Sequence, residues 1–269
     1  MNLAAGLVPY LQLLRLPAVF SAWSNVLAAH LIATAGRPQW ALLALQLGIT
    51  TTVYWGGMVL NDCFDLAEDR RERPGRPLPS GRVPVALAWG IGLGLLLAGL
   101  LLGLAGGSAM ALLTLLLSVA VLLYDGLLKH GPLGPPAMGA CRWLNWLMGF
   151  AVSPDLATGM LLAVPVFLYT TAVTLLSRIE TAGGQRGPVL ATAALLGSVG
   201  LGVILLYAAG ILSHPAGLAG LALLFALLAG RLGDVYRDPS PPRVQAGVRW
   251  LLLGMIPLDA VLLAGIGQW

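Results

Sequence analysis

NDCFDLAEDRRERPGRPLPSGRV, residues 61–83, is a strongly polar island set in apolar sequence, and it follows directly on an apolar run from Trp40 to Leu60. If that run continues as helix, successive residues advance by about 100°. With Asn61 at the origin, Asp65 falls at ~40°, Asp69 at ~80° and Asp62 at ~100°. Three carboxylates and one amide oxygen then share a face, while Cys63, Phe64, Leu66 and Ala67 point elsewhere. Hard divalent cations take oxygen ligands, and Mg²⁺ is held by about one or two carboxylates together with substrate phosphates. The island reads as half of a diphosphate-binding site at a membrane edge. A helix end charged only to mark the membrane boundary would carry basic residues near the headgroups, with no reason to gather acids on one side.

Outside the island the chain is lipid-soluble in character. Hydrophobic residues make up 58% and charged residues 10%, with a mean hydropathy of +0.87, against about 25% charged in soluble domains. Apolar stretches near the ~20 residues needed to cross hydrocarbon recur at 17–35, 40–61, 84–104, 107–124, 137–153, 158–178, 188–210, 215–233 and 245–266. They leave no room for a separate soluble domain. The expected fold is all-α: one polytopic membrane domain over 1–269, with nine transmembrane helices around a central cavity. The fifth stretch is short and contains Arg142 and Asn145.

Charge orients these spans. With Met1 cytoplasmic, fourteen of the fifteen basic residues fall on one side and only Arg37 on the other, as the positive-inside rule requires. The amino terminus and the polar loops at 62–83, 125–136, 179–187 and 234–244 are therefore expected in the cytoplasm and the carboxyl terminus outside, in a bacterial or archaeal plasma membrane. Irregular backbone near a membrane needs water or protein to satisfy it, so four such loops on one side suggest a cap over a cavity. The net charge of +4 reflects this orientation, and no nucleic-acid partner is expected, because the basic loops lack interleaved aromatics. Cys63 and Cys141 are isolated thiols without metal-type spacing and read as core residues. The first fifteen residues show no basic cluster or cleavage pattern of a removable signal. The 35 glycines allow the close helix approach on which membrane packing relies.

NDxxDxxxD at 61–69, followed by RPLPSGRV at 76–83, resembles the first aspartate-rich motif of the UbiA superfamily of membrane prenyltransferases. LLRLPAVFSAWSNVLA at 13–28 is similar to that family's first helix, and YDGLLK at 124–129 to its tyrosine-to-lysine motif after the fourth span. The resemblance covers essentially the whole chain. It implies that Asn61, Asp65 and Asp69 hold Mg²⁺ on the diphosphate of a polyprenyl donor, with Asp62 close by. It further implies that Lys129, with Arg76 or Arg82, contacts the phosphates, and that Tyr124 lies near the reacting carbon. The implied reaction ionises the allylic diphosphate and passes the prenyl group to a small acceptor, aromatic or lipid-like, with the prenyl tail in an apolar tunnel.

Blander roles compete for several of these residues. Lys129, Tyr124 and the eight tryptophans could mark the interface. Arg142 and Asn145, polar groups within a span, are expected to line the pocket, or one of them to bond a neighbouring carbonyl. Asn25 is expected to face the cavity and Asp259 to be interfacial, near the outer end of the last span.

One departure from the family pattern bears on catalysis. Typical members carry a second motif, DxxxD, after the sixth span. Here that place reads LLSRIETAGGQRGPV at 175–189, with Arg178 and a single carboxylate, Glu180. Arg178 and Arg186 could hold the diphosphate directly in place of a second cation. Alternatively, the fold binds an isoprenoid without ionising it and serves as a carrier or transporter. In lacking the second motif the chain resembles the divergent branch of the superfamily found in Ebo-type gene clusters. Headgroup transfer from a CDP-alcohol is disfavoured, because DGLLKH at 125–130 lacks the Ala-Arg that chemistry uses. Acceptor, prenyl chain length and oligomeric state are left open by the sequence.

Overall fold

Prolines open several of the helices. In the computed structural model, which describes residues 3–267, Pro135, Pro188, Pro215 and Pro241 each stand in a first helical turn, where a missing N–H costs nothing and the fixed φ favours helix. The chain forms α1 (Leu3–Leu14), α2 (Phe20–Ala33), α3 (Trp40–Phe64), α4 (Leu66–Glu72), α5 (Val85–Ala105), α6 (Ser108–Leu123), α7 (Gly134–Phe150), α8 (Leu156–Ser177), α9 (Gly187–Ala208), α10 (Pro215–Arg237) and α11 (Pro241–Ile266). A 3₁₀ turn at Leu16–Val19 leads into α2, and a π turn at Tyr124–Leu128 extends α6. No strand occurs among the described residues. The two chain ends, Met1 and Trp269, between which the inside-to-outside course was drawn, lie outside them.

Among the described residues, seven helices are long and apolar enough to cross a membrane: α3, α5, α6 with its π extension, α8, α9, α10 and α11. The remaining two apolar stretches are shorter as helices, α2 at 14 residues and α7 at 17. α2 is shortened because Arg15 adopts the left-handed conformation (φ 47°, ψ 50°) and the 3₁₀ turn follows it. α7 ends where Ala151–Ser153 turn back on Met148 and Phe150.

The helices close into a ring. α3 packs on α5, α7 on α2 and α8, α8 on α9 and α11, and α11 returns to α2. Small residues permit the closest crossings. A Cβ built on Gly92 of α5 would stand 2.6 Å from Leu60 of α3, and one on Gly149 of α7 only 2.4 Å from the Val26 carbonyl of α2. Leu93, Leu97, Leu101 and Leu104 form an exposed apolar face on α5, suited to hydrocarbon. Trp146 is fully buried, so the tryptophans are not all interfacial anchors.

Candidate active site

The polar island does not continue as one helix. Asp65 sits in the bridge region (φ −82°, ψ 2°) and forms both the end of α3 and the start of α4. The four oxygen-bearing residues then separate into two pairs. Asn61 and Asp65 line the main cavity, of about 600 Å³. Asp62 lines a neighbouring cleft of about 460 Å³ with Arg15, Arg73 and Arg76, and Asp69 is buried against arginine.

Arginine contacts cause the split. Arg76 Nη1 lies 2.6 Å from Asp69 and 3.5 Å from Asp62, and Arg15 reaches Asp62 at 2.7 Å. The RPLPSGRV segment folds back to make this possible. Leu78 and Val83 pack with Leu13, Val59 and Cys63, and Gly81 takes a φ of 73°, a turn conformation for which glycine carries no steric penalty. Arg82 holds the loop shut by donating to the Gly75 carbonyl at 2.6 Å, Ser80 Oγ at 3.0 Å and Gln12 Oε1 at 3.3 Å. The single face expected of Asn61, Asp62, Asp65 and Asp69 is therefore corrected to two, and Arg82 is a loop fastener away from the cavity.

Across the cavity mouth, the π turn sends Asp125 inward. Lys129 N–H bonds the Tyr124 carbonyl at 2.9 Å, the longer-period bond that marks such a turn, a feature frequent at functional sites. Asp125 is buried and accepts the Asn61 amide at 2.7 Å. Lys129 Nζ pairs with Asp65 Oδ2. Tyr124, Asp125, Lys129 and Glu180 all line the cavity.

Arg178 does not line it. Its Nη2 donates to the carbonyls of Lys129, at 3.0 Å, and Gly131, so this guanidinium ties down the loop after the π turn rather than presenting a free fork to phosphate. Arg186 stacks over Tyr236 at 5.5 Å.

Deeper in the cavity, Thr50, Tyr54, Arg142 and Asn145 form a second polar group. Asn145 accepts from Thr50 Oγ1 at 3.0 Å and donates to the Ala22 carbonyl at 3.0 Å. Two expectations are corrected here. Asn25 does not line the cavity; it stands behind Arg142 and donates to Asp259 at 2.7 and 2.8 Å. Asp259 is not interfacial but 1% exposed, accepting also from Ser24 at 2.5 Å. Polar groups within apolar helices seek one another because lipid offers no partner. Cys63 and Cys141 are free and buried, and Cys141 adds its side chain to the cavity wall.

Comparison with known proteins bears on the family and the fold. Residues 22–237 match the model of the UbiA prenyltransferase family. The chain belongs to the UbiA prenyltransferase family. It is 31% identical over 206 residues to digeranylgeranylglyceryl phosphate synthase of Ignicoccus hospitalis, covering 73% of this chain and 67% of that one. The synthase of Metallosphaera sedula is 31% identical over 122 residues, 45% of this chain and 43% of its own. The chain thus spans under half the length of some curated relatives that it matches. Among solved structures, a digeranylgeranylglyceryl phosphate synthase superposes with a TM-score of 0.76 at 20% identity over 97% of this chain and 99% of that one. The apo UbiA homologue from Aeropyrum pernix K1 gives 0.71 at 18% identity over 93% and 96%. These two likenesses concern the fold.

UbiA membership raises the question of whether the residues at the mouth suit a magnesium ion. Asn61 spends its amide N–H on Asp125, which leaves Oδ1 turned to accept, and Asp65 and Asp125 face it from two helices. Glu68 and His130 have ligand atoms within 4.8 Å of Asp65. Oxygen donors of this kind fit a hard cation. Asp62 and Asp69 fit less well, since each is met by two arginines, whereas Asp65 gives only its Oδ2 to Lys129. Reading the island by helical angle missed Asp125, although a carboxylate inside an apolar span is itself a signal. It also missed Arg15, which lines both hollows.

Proposed function

We propose that this UbiA-family chain is an integral membrane prenyltransferase. It moves a polyprenyl group from its diphosphate to a lipid-like acceptor, of the glyceryl phosphate type named in its relatives rather than an aromatic one. The observation that carries the proposal is the facing of Asn61 and Asp65 on α3 against Asp125 and Lys129 on the π turn, at the mouth of a long cavity with an apolar interior. Phe20, Leu252, Leu253 and Ile256 line that cavity and are also exposed on the outer surface, so a lipid tail can enter it sideways from the bilayer. In this reading the nine apolar helices all span the membrane, with the mouth and its arginine-rich loop cytoplasmic.

Mg²⁺ held by Asn61, Asp65 and Asp125 would supply charge neutralisation of the diphosphate. Lys129 and Arg76 flank the same mouth and add positive charge where the leaving group gains negative charge, which is electrostatic catalysis. The allylic C–O bond breaks and the acceptor oxygen bonds that carbon, its proton leaving with the diphosphate. Tyr124, on the cavity wall beside Asp125, shields the carbon from water. Glu180 faces the mouth from the end of α8 and is the one carboxylate at the place of the second motif.

Purified protein supplied with geranylgeranyl diphosphate, geranylgeranylglyceryl phosphate and Mg²⁺ is expected to form the diprenylated product, and Asp65→Ala is expected to abolish it. Full turnover in that variant, or in EDTA, would reject the mechanism. A protein that retains the diphosphate but never converts it, with any acceptor, would instead be a carrier, the reading that the lone Glu180 favours.

A further inference from the structure

Arg142 is a cation without a carboxylate partner. It lies on α7 in the wall of the cavity, and among the described residues no acid oxygen comes within 4.0 Å of it. Its Nη2 donates to Ser21 Oγ at 2.9 Å and its Nη1 to Asn25 Oδ1 at 3.4 Å, while the guanidinium carbon stands 5.9 Å from the centre of the Tyr54 ring. A guanidinium carries five N–H donors, so most of the fork is unspent. Charges within membrane spans are costly and normally serve a ligand or a pathway.

The surroundings hold this cation in place without pairing it off. Asp259 on α11 takes both bonds from the Asn25 amide nitrogen and one from Ser24. Asn25 is thereby fixed with its oxygen toward Arg142. The carboxylate offsets the positive charge from one amide away, whereas direct contact would have consumed the fork. Asp259 and Asn25 are positioning residues in this arrangement, and the guanidinium is left for something in the cavity.

That something is not the donor's diphosphate. Tyr54 precedes Asn61, the first residue of the mouth, by seven residues on α3, about 10 Å along its axis. On that stretch Gly57, Met58, Val121 and Cys141 line the wall and offer no phosphate ligand, and Arg15, which also lines the cavity, is paired with Asp62 at 2.7 Å. We propose that Arg142 forms a second anion subsite on the membrane side of the mouth, which seats the acidic group, phosphomonoester or carboxylate, of the prenyl acceptor. The assignment rests on the prenyltransferase reading for the word acceptor, but the anion site itself does not depend on turnover. Arginine suits it because its planar fork binds such groups through two parallel bonds.

The test is binding to purified full-length protein in detergent micelles. Geranylgeranylglyceryl phosphate is compared with geranylgeranylglycerol, 4-hydroxybenzoate with phenol, and geranylgeranyl diphosphate with Mg²⁺ reports separately on the mouth. Wild type is expected to favour one or both acids over the neutral parent by about tenfold or more, the scale of a hydrogen bond to a charged group. Arg142→Gln should reduce that preference to within about twofold, and Arg142→Lys should keep part of it. The diphosphate should bind as before in both. Should the variants not fold, phenylglyoxal modification of wild type, mapped by mass spectrometry, gives the same answer: the preferred acid protects Arg142, and the diphosphate protects Arg76. Preference retained in Arg142→Gln, no preference in wild type, or protection confined to Arg15 and Arg76 would overturn the subsite. If acids bind through Arg142 but the diphosphate is never bound or consumed, the subsite stands and the prenyltransferase reading falls.

Discussion

Lys129 and Asp65, sixty-four positions apart in sequence, form an ion pair across the cavity mouth. The pair sets two roles against each other, because the ammonium occupies an oxygen of the carboxylate that would receive a cation. Lys129→Met is therefore expected to raise the affinity of the mouth for Mg²⁺ a few-fold, since Asp65 is released. Turnover should nevertheless fall about 100-fold, the scale of losing one preorganised donor to developing charge. Calorimetry with Mg²⁺ and steady-state assay with geranylgeranyl diphosphate check the two halves. A variant with unaltered turnover would make Lys129 an interfacial anchor only.

Asp125 and Asp62 should behave in the reverse order to that suggested by the aspartate-rich motif. Asp125 faces the cavity and accepts from Asn61, whereas Asp62 faces arginine in the neighbouring cleft. Asp125→Ala is expected to lower turnover at least tenfold more than Asp62→Ala. Side-by-side steady-state assays at saturating donor measure this. Equal losses would mean that the carboxylates act as a single acidic field.

These two residues show where sequence reading succeeds and where it stops. The island at 61–69 was legible in part: a 100° advance gathers its four oxygen-bearing residues on one face, whereas in the structure Asn61 and Asp65 line the cavity and Asp62 and Asp69 turn to arginine. Which pair faces the cavity was not legible, because it depends on the loop at 73–82 folding back and bringing Arg76 to one side. Apolar length marked the helices, yet the left-handed turn at Arg15 that shortens α2 has no signature in composition. Asp259 was misread because its partners lie 234 and 235 positions away, beyond any periodicity. Arg178 and Arg82 looked like phosphate ligands by residue type, but their bonds to backbone carbonyls follow from loop geometry alone.

Asp69 supports the arginine loop rather than the cavity. It is 2% exposed and holds Arg76 at 2.6 Å and Arg73 at 3.9 Å. Removing one member of a buried pair leaves the other charge uncompensated, but Arg76 retains 28% of its exposure, so water recovers part of the loss. Asp69→Asn should cost about 1–2 kcal/mol and open residues 70–82 to trypsin. Limited proteolysis and thermal melting in one detergent test this, with Asp65→Asn as a comparison that leaves the loop closed. Loop cleavage no faster than in wild type would return Asp69 to the list of metal ligands.

Gly149 on α7 should be the least replaceable glycine of the central crossing. A Cβ there would stand 2.4 Å from the Val26 carbonyl and 2.7 Å from Ala29 Cβ. Backbone cannot swing aside as a side-chain tip can, so α2 and α7 would have to separate. Overpacking of this kind costs about 1–3 kcal/mol. The strain falls on a functional seam, since Asn145 of α7 bonds the Ala22 carbonyl and Arg142 bonds Ser21 and Asn25 of α2. Gly149→Ala is accordingly expected to lower the melting temperature and also to weaken the preference for acidic acceptors. Gly94→Ala on the open face of α5, where nothing lies within 4 Å, should be neutral or slightly stabilising, because alanine favours helix by up to about 1 kcal/mol. Melting curves for both variants in the same micelles decide it. Equal behaviour of the two would show that α2 and α7 are not held at the separation seen here.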